Sequence, residues 1–148
     1  MPTTTLEPAV PPAAPPAEAP TLAEALGLTS ELAEAIAQVA EDELEAGRGE
    51  PARVILEGLV VSNPRDARAW TLLARVHRAL RQPLAARFCA EVAGSLDGAA
   101  PATRLARAEG LLPYPEDHAQ ARALLASLAS EPGREGERAR ALLEALGG

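Results

Sequence analysis

The sequence predicts an all-α protein: about three tandem helix–turn–helix repeats stacked as a right-handed superhelix and closed by a C-terminal capping helix. Three observations predict it. Pro64, Gly98 and Pro132 stand at a 34-residue spacing, and each closes a segment with the texture of two short helices. Apolar residues in those segments recur three and four apart, the period of one helical face. Gly47, Gly49, Asn63-Pro64 and Pro83 stand where such helices would end or begin. Such a unit cannot bury its apolar side alone, so it stacks on its neighbours and leaves a concave surface.

Taken in order, residues 1–20 are Pro, Ala and Thr with almost no large apolar side chains. They cannot offset the entropy of ordering, which predicts a disordered Pro/Ala-rich tail. Residues 21–32 form an N-terminal helical segment. Leu22, Leu26 and Leu28 have no room in a self-contained repeat, so they point to self-association, and Ser30 stands as an N-cap. Residues 33–132 carry the repeats. In the first, Leu32, Ile36, Val39 and Glu43 share one helical face, and Val54, Leu56, Leu59 and Val60 share another. Gly47 and Gly49 separate the two helices, and Asn63-Pro64 ends the pair.

The second repeat begins at Ala67, with Asp66 as N-cap and Pro83 opening its second helix, where a missing N–H costs nothing. The third begins at Pro101 and is irregular. Arg104 stands where the earlier frames have Ile36 and Trp70. Pro113 and Pro115 interrupt the turn, and the second helix arrives one residue late as Ala121, Leu125 and Leu128. Residues 133–148 carry Ala139, Leu142, Leu143 and Leu146 on one side and Glu and Arg elsewhere, the pattern of a solvating cap.

These positions resemble the tetratricopeptide consensus. Frame one offers Ile36, Val39–Ala40, Gly47, Ala52, Leu56, Leu59 and Pro64; frame two offers Trp70, Leu73–Ala74, Ala86, Ala90 and Ala93. Trp70, the single Trp of the chain, falls where that consensus wants one. The resemblance implies a binding scaffold whose concave face holds a peptide.

Composition excludes several function classes. No run of about 18 apolar residues exists to span a membrane, and the N-terminus lacks the basic and apolar regions of a secretory signal. A single Cys excludes an intramolecular disulfide and fits a reducing, cytoplasmic setting. All fourteen basic residues are Arg, a coding bias and not a functional signal. Net charge is −7 and no aromatic set exists to stack bases, so nucleic acid is not the expected partner. The charge is uneven: eleven acids face two Arg up to Pro64, and ten acids face twelve Arg beyond it. Glu41, Asp42, Glu43 and Glu45 against Arg68, Arg75, Arg78 and Arg81 read either as a solvated face with ion pairs or as a polar rim that orients a peptide.

Catalysis needs a clustered acid, base or nucleophile. Two His, one Cys and one Tyr do not supply it. His77 falls at a packing position, Cys89 and His77 lack a third orienting group, and His118 beside Glu116 and Asp117 has no metal-ligand spacing. No enzyme activity, metal or cofactor is expected.

The stretch from Val54 to Leu112 also resembles the type III secretion chaperones that guard translocator proteins. The matching residues are Leu59, Asp66, Ala67, Arg68, Leu72, Leu73, Ala74, Leu80, Ala86, Ala93, Asp97, Pro101, Ala108, Glu109, Leu111 and Leu112. It departs where glycines near Leu72 and Ala74 are replaced, and in its scarcity of aromatics. The resemblance implies a cytoplasmic chaperone that holds an extended segment of a secreted pore-forming protein in its groove, without nucleotide. Carried onto this sequence, the groove residues are Ala37, Glu41 and Leu44 from frame one, Arg68, Thr71, Leu72, Arg75 and Arg78 from frame two, and Leu105, Glu109 and Leu112 from frame three. It also implies a homodimer through residues 21–33. The alternative is a non-catalytic adaptor subunit clamped to a folded partner in another bacterial assembly.

Overall fold

The computed structural model describes residues 19–147. The expected disordered tail over 1–20 therefore lies outside them apart from Ala19 and Pro20. Helix α1 spans Leu22–Ala25, α2 Ser30–Glu45, α3 Gly49–Ser62, α4 Ala67–Ala79, α5 Pro83–Asp97, α6 Pro101–Leu111, α7 His118–Leu128 and α8 Arg134–Ala145. A single 3-10 turn, Pro115–Asp117, precedes α7. Among the described residues there is no strand.

Caps set the helix starts. Thr21 and Glu24 form a reciprocal capping box, with each side chain accepting the other residue's backbone N–H at 3.1 and 2.9 Å. Ser30 is the first residue of α2 and not its cap; Thr29 fills that position, its Oγ1 accepting the Leu32 N–H at 3.1 Å. Asp66 caps α4 by accepting from Ala69 at 3.0 Å, and Pro83 opens α5.

The 34-residue period reappears in the turns. Gly47 takes φ +81° after α2, and Arg81, one period later, takes φ +60° after α4. Both turns close the same way: Arg48 N–H reaches Glu43 C=O and Gln82 N–H reaches His77 C=O, at 2.8 and 2.9 Å. A left-handed residue suits this closure, and Gly adopts it without strain whereas Arg does not. We expect Arg81→Gly to raise the melting midpoint, stabilising by roughly 0.5–1 kcal/mol, since relief of strain is partly offset by unfolded-state entropy. Thermal unfolding by circular dichroism measures it; a lowered midpoint contradicts the turn geometry. The third repeat has Pro115 at this position, whose fixed negative φ forbids the closure. Its chain runs through the 3-10 turn instead, which delays α7.

Two apolar clusters form the core. Leu56, Leu59, Leu72, Leu73 and Val76 pack with small residues of α2 to α5. Ala108, Leu125, Leu128 and Ala139 join α6, α7 and α8. Trp70 is half-buried against the first cluster, edge-on to Phe88 with centroids 6.2 Å apart, and its indole N–H donates to Pro64 C=O at 2.8 Å. Arg104, at the same position one period later, braces instead of packing: it donates to Ser127 C=O and Oγ at 3.1 Å and to Glu131 at 2.9 Å. Gly110 lets α6 approach α5, since a Cβ there would lie 3.3 Å from the Arg87 Cα.

Candidate peptide-binding groove

The first helices of the repeats touch in series, α2 to α4 to α6, and α8 continues the row, while α3, α5 and α7 make no comparable contacts with one another. That asymmetry curves the stack, with α2, α4, α6 and α8 on its concave side. A groove of about 790 Å³ opens there. Its floor is built of small residues, among them Ala67, Ala74, Ala102, Ala106 and Gly110, with the edges of Leu72 and Leu105. Small side chains leave room for an occupant's larger ones.

Glu41, Arg68, Thr71, Leu72, Arg75, Arg78, Leu105 and Glu109 all line this groove. Ala37, Leu44 and Leu112 do not. Ala37 is 1% exposed within the first core cluster, and Leu44 packs against that cluster. Leu112 caps α6 and its carbonyl accepts from His118 at 2.8 Å. Leu72 is only 4% exposed, so it belongs to the core more than to an open pocket. Helical spacing does not distinguish a side chain enclosed by the next helix from one left open.

Some lining residues were not anticipated. Thr103 sits on the floor, its Oγ1 3.4 Å from that of Thr71. Arg134, Glu135, Glu137 and Arg138 of α8 form an end wall. The capping helix thus borders the groove as well as shielding the last repeat. The charged flank of α8 opposite its leucines is visible in the sequence, but it reads the same for a flank that meets water.

Ion pairs organise the rim by repeat position. Glu41, Arg75 and Glu109 are one period apart, and Arg75 donates to Glu41 at 2.8 Å. Arg68 donates to Gln38 and Glu41 at 3.2 Å and pairs with Glu34, its own equivalent one period earlier. Burial pushes the Glu41 carboxyl up, but the hydrogen bond and charge of Arg75, joined by those of Arg68, outweigh it and hold Glu41 below the usual carboxylate range. Glu109 pairs with Arg78 of α4 and lies 3.8 Å from Arg138 of α8. Arg134 reaches across to Glu45, the last residue of α2, at 3.2 Å. The arginines are partly exposed, and the pairs at Glu34 and Glu45 each add little stability. They fix where donors and acceptors stand around the floor.

The acidic cluster thereby divides. Glu41 and Glu45 serve the groove and its edge, while Glu43 pairs with Arg48 and Asp42 accepts from Gln38. His77 Nδ1 bonds Gln82 at 2.6 Å. Burial, with the Glu57 charge, pushes the Cys89 thiol up to about 11, which makes it a poor nucleophile at neutral pH. No helix among the described residues is long and apolar enough to cross a membrane.

Neither a protein-family model nor a curated sequence matches the chain. Solved structures do. The type III secretion translocator chaperone SycD of Yersinia enterocolitica superimposes with a TM-score of 0.70 at 24% identity, covering 84% of this chain and 97% of that one. SycD in complex with a peptide of the translocator YopD gives 0.65 at 24% identity, over 80% and 94% of the two chains. PcrH of Pseudomonas aeruginosa, in complex with the chaperone-binding region of PopD, gives 0.63 at 24% identity over 80% and 93%. The chain has the fold of these chaperones. Nearly the whole of each chaperone is spanned.

Proposed function

We propose that this chain is a non-catalytic, cytoplasmic chaperone that holds an extended segment of a secreted translocator protein across its concave groove. The observation that carries this reading is the groove itself. Among the described residues the helices stack so that first helices and cap border an open channel with a small-residue floor and a rim of ordered charges, in a fold shared with chaperones solved with translocator peptides. Floor residues Ala102 and Leu105 supply apolar contact, and the arginines of α4 supply donors for main-chain carbonyls, which set direction more than affinity. Calorimetric titration with short overlapping peptides from the proteins encoded beside this one tests it. One contiguous segment is expected to bind; tight binding only to an intact folded partner favours the adaptor reading instead. That second reading is favoured by the outward helices, where Val54, Val61, Leu84 and Phe88 are more than 60% exposed.

The N-terminal segment supports self-association in revised form. Leu28 packs against the core, whereas Leu22 and Leu26 are 47% and 71% exposed. We expect Leu22→Ser with Leu26→Ser to convert a homodimer formed through residues 21–33 into a monomer in sedimentation, with an unchanged melting curve. A wild-type chain that is already monomeric refutes the dimer.

A further inference from the structure

Two carboxylates of the groove are each met by two arginines, and the two sites differ in charge balance. Glu41 takes Arg68 and Arg75, but Arg68 also pairs with Glu34, so two cations face two acids. Glu109, one period after Arg75, pairs with Arg78 of α4 and stands 3.8 Å from Arg138 of α8. Among the described residues no second acid pairs with either of these arginines, which leaves one positive charge in excess. Exposure sharpens the difference. The Glu109 side chain is 7% exposed, whereas those of Arg78 and Arg138 are each 46% exposed, and both line the groove. An occupant of the channel therefore meets guanidinium groups of α4 and α8 and not the carboxylate that they cover.

The chemistry that these groups accept follows from their form. A guanidinium carries five N–H donors in a planar fork, and the contact with Glu109 occupies only part of each. A carboxylate matches such a fork better than a carbonyl does, because it offers two acceptor oxygens and a compensating charge. A client Lys or Arg would meet like charge there. The remaining charged groups confine the site. Asp97 of α5 and Glu135 and Glu137 of α8 also line the groove, and Arg134 is engaged by Glu45. With those acids nearby, an anion gains only where it touches the two arginines directly, since attraction between separated exposed charges is screened. We propose that Arg78 and Arg138 together seat one acidic side chain of the extended client segment, so that the groove selects Asp or Glu at a single position of it. The proposal rests on the peptide-groove reading and adds a side-chain preference to it.

The test uses the full chain and a library of short random peptides, each displayed between two carrier domains so that no free terminus supplies a carboxylate. Peptides are kept only if Ala102→Trp, which fills the floor, releases them. They are expected to share an Asp or Glu at one position. Its replacement by Asn or Gln should weaken binding about tenfold, as the loss of one charge-assisted hydrogen bond does. Arg138 is varied because it lies outside both core clusters and its contact with Glu109 is the looser one. Arg138→Gln should bind the acidic peptide about tenfold more weakly and should no longer distinguish it from the amide version, and Arg138→Glu should prefer a Lys at that position. Circular dichroism establishes that each variant folds. Where one does not, the guanidinium nitrogen resonances of wild-type Arg78 and Arg138 decide: they should shift with the acidic peptide and not with its amide version. Released peptides without a shared acid, equal acid-to-amide discrimination in wild type and Arg138→Gln, or unmoved guanidinium resonances overturn the proposal while leaving the groove reading intact. Failure to obtain any peptide that Ala102→Trp releases overturns the groove reading, and this proposal with it.

Discussion

Ala102→Trp is expected to abolish client-peptide binding while the melting curve stays near wild type. Ala102 is exposed, lies in the first turn of α6 and contributes to the groove floor. An indole there projects into open space and not into the core, so folding has little to lose. A groove occupant has much to lose, because the filled floor removes the seat of its central anchor, where a few side chains usually carry most of the binding energy. The loss should exceed about a hundredfold, a difference of roughly 2.7 kcal/mol in calorimetry. Equivalent substitutions at Ala37 or Leu72 do not isolate binding from folding, since both side chains are in the core. Normal peptide binding by Ala102→Trp removes the floor from the account.

Leu56→Ala should produce the largest stability loss. Leu56 is fully buried in α3, at the centre of the cluster that joins the first two repeats. The cluster around it includes Ala37, Ala40, Ala52, Ala69, Ala74 and Ala90, small side chains that cannot extend into the space left behind. A cost of roughly 3–4 kcal/mol follows from transfer and cavity contributions together, lowering the melting midpoint by about 10 °C. Because repeats are stabilised by their neighbours, the loss should appear in the whole transition and not as an early partial one. An unchanged midpoint contradicts the packing of α3 against α2 and α4.

Much of this fold was legible because a single period governs it. The spacing that joins Pro64 to Gly98 also joins Gly47 to Arg81 and Glu41 to Arg75 to Glu109, so one register gives helices, turns and the charged row of the groove together. The third repeat departs for local reasons visible in its residues: Pro115 forbids the left-handed turn, and Arg104 replaces packing by hydrogen bonds to α7. Exposure was less legible. Ala37 and Thr71 occupy equivalent positions and both are buried, yet the former lies within the first core cluster while the latter lines the channel. Helical spacing tells which side faces a neighbour, not how far that neighbour reaches. The role of α8 was hidden for a related reason, since an amphipathic cap reads alike whether its polar flank meets water or a groove.

The most direct test of the central claim is amide chemical-shift mapping of the full chain with the peptide segment that binds in the calorimetric titration. Perturbations are predicted on α4, α6 and the groove-facing side of α8, centred on Thr71, Thr103 and Glu109, with α3 and α5 nearly unmoved. Shifts concentrated instead around Val54, Val61, Leu84 and Phe88 place the partner on the outer face and contradict a peptide-holding groove.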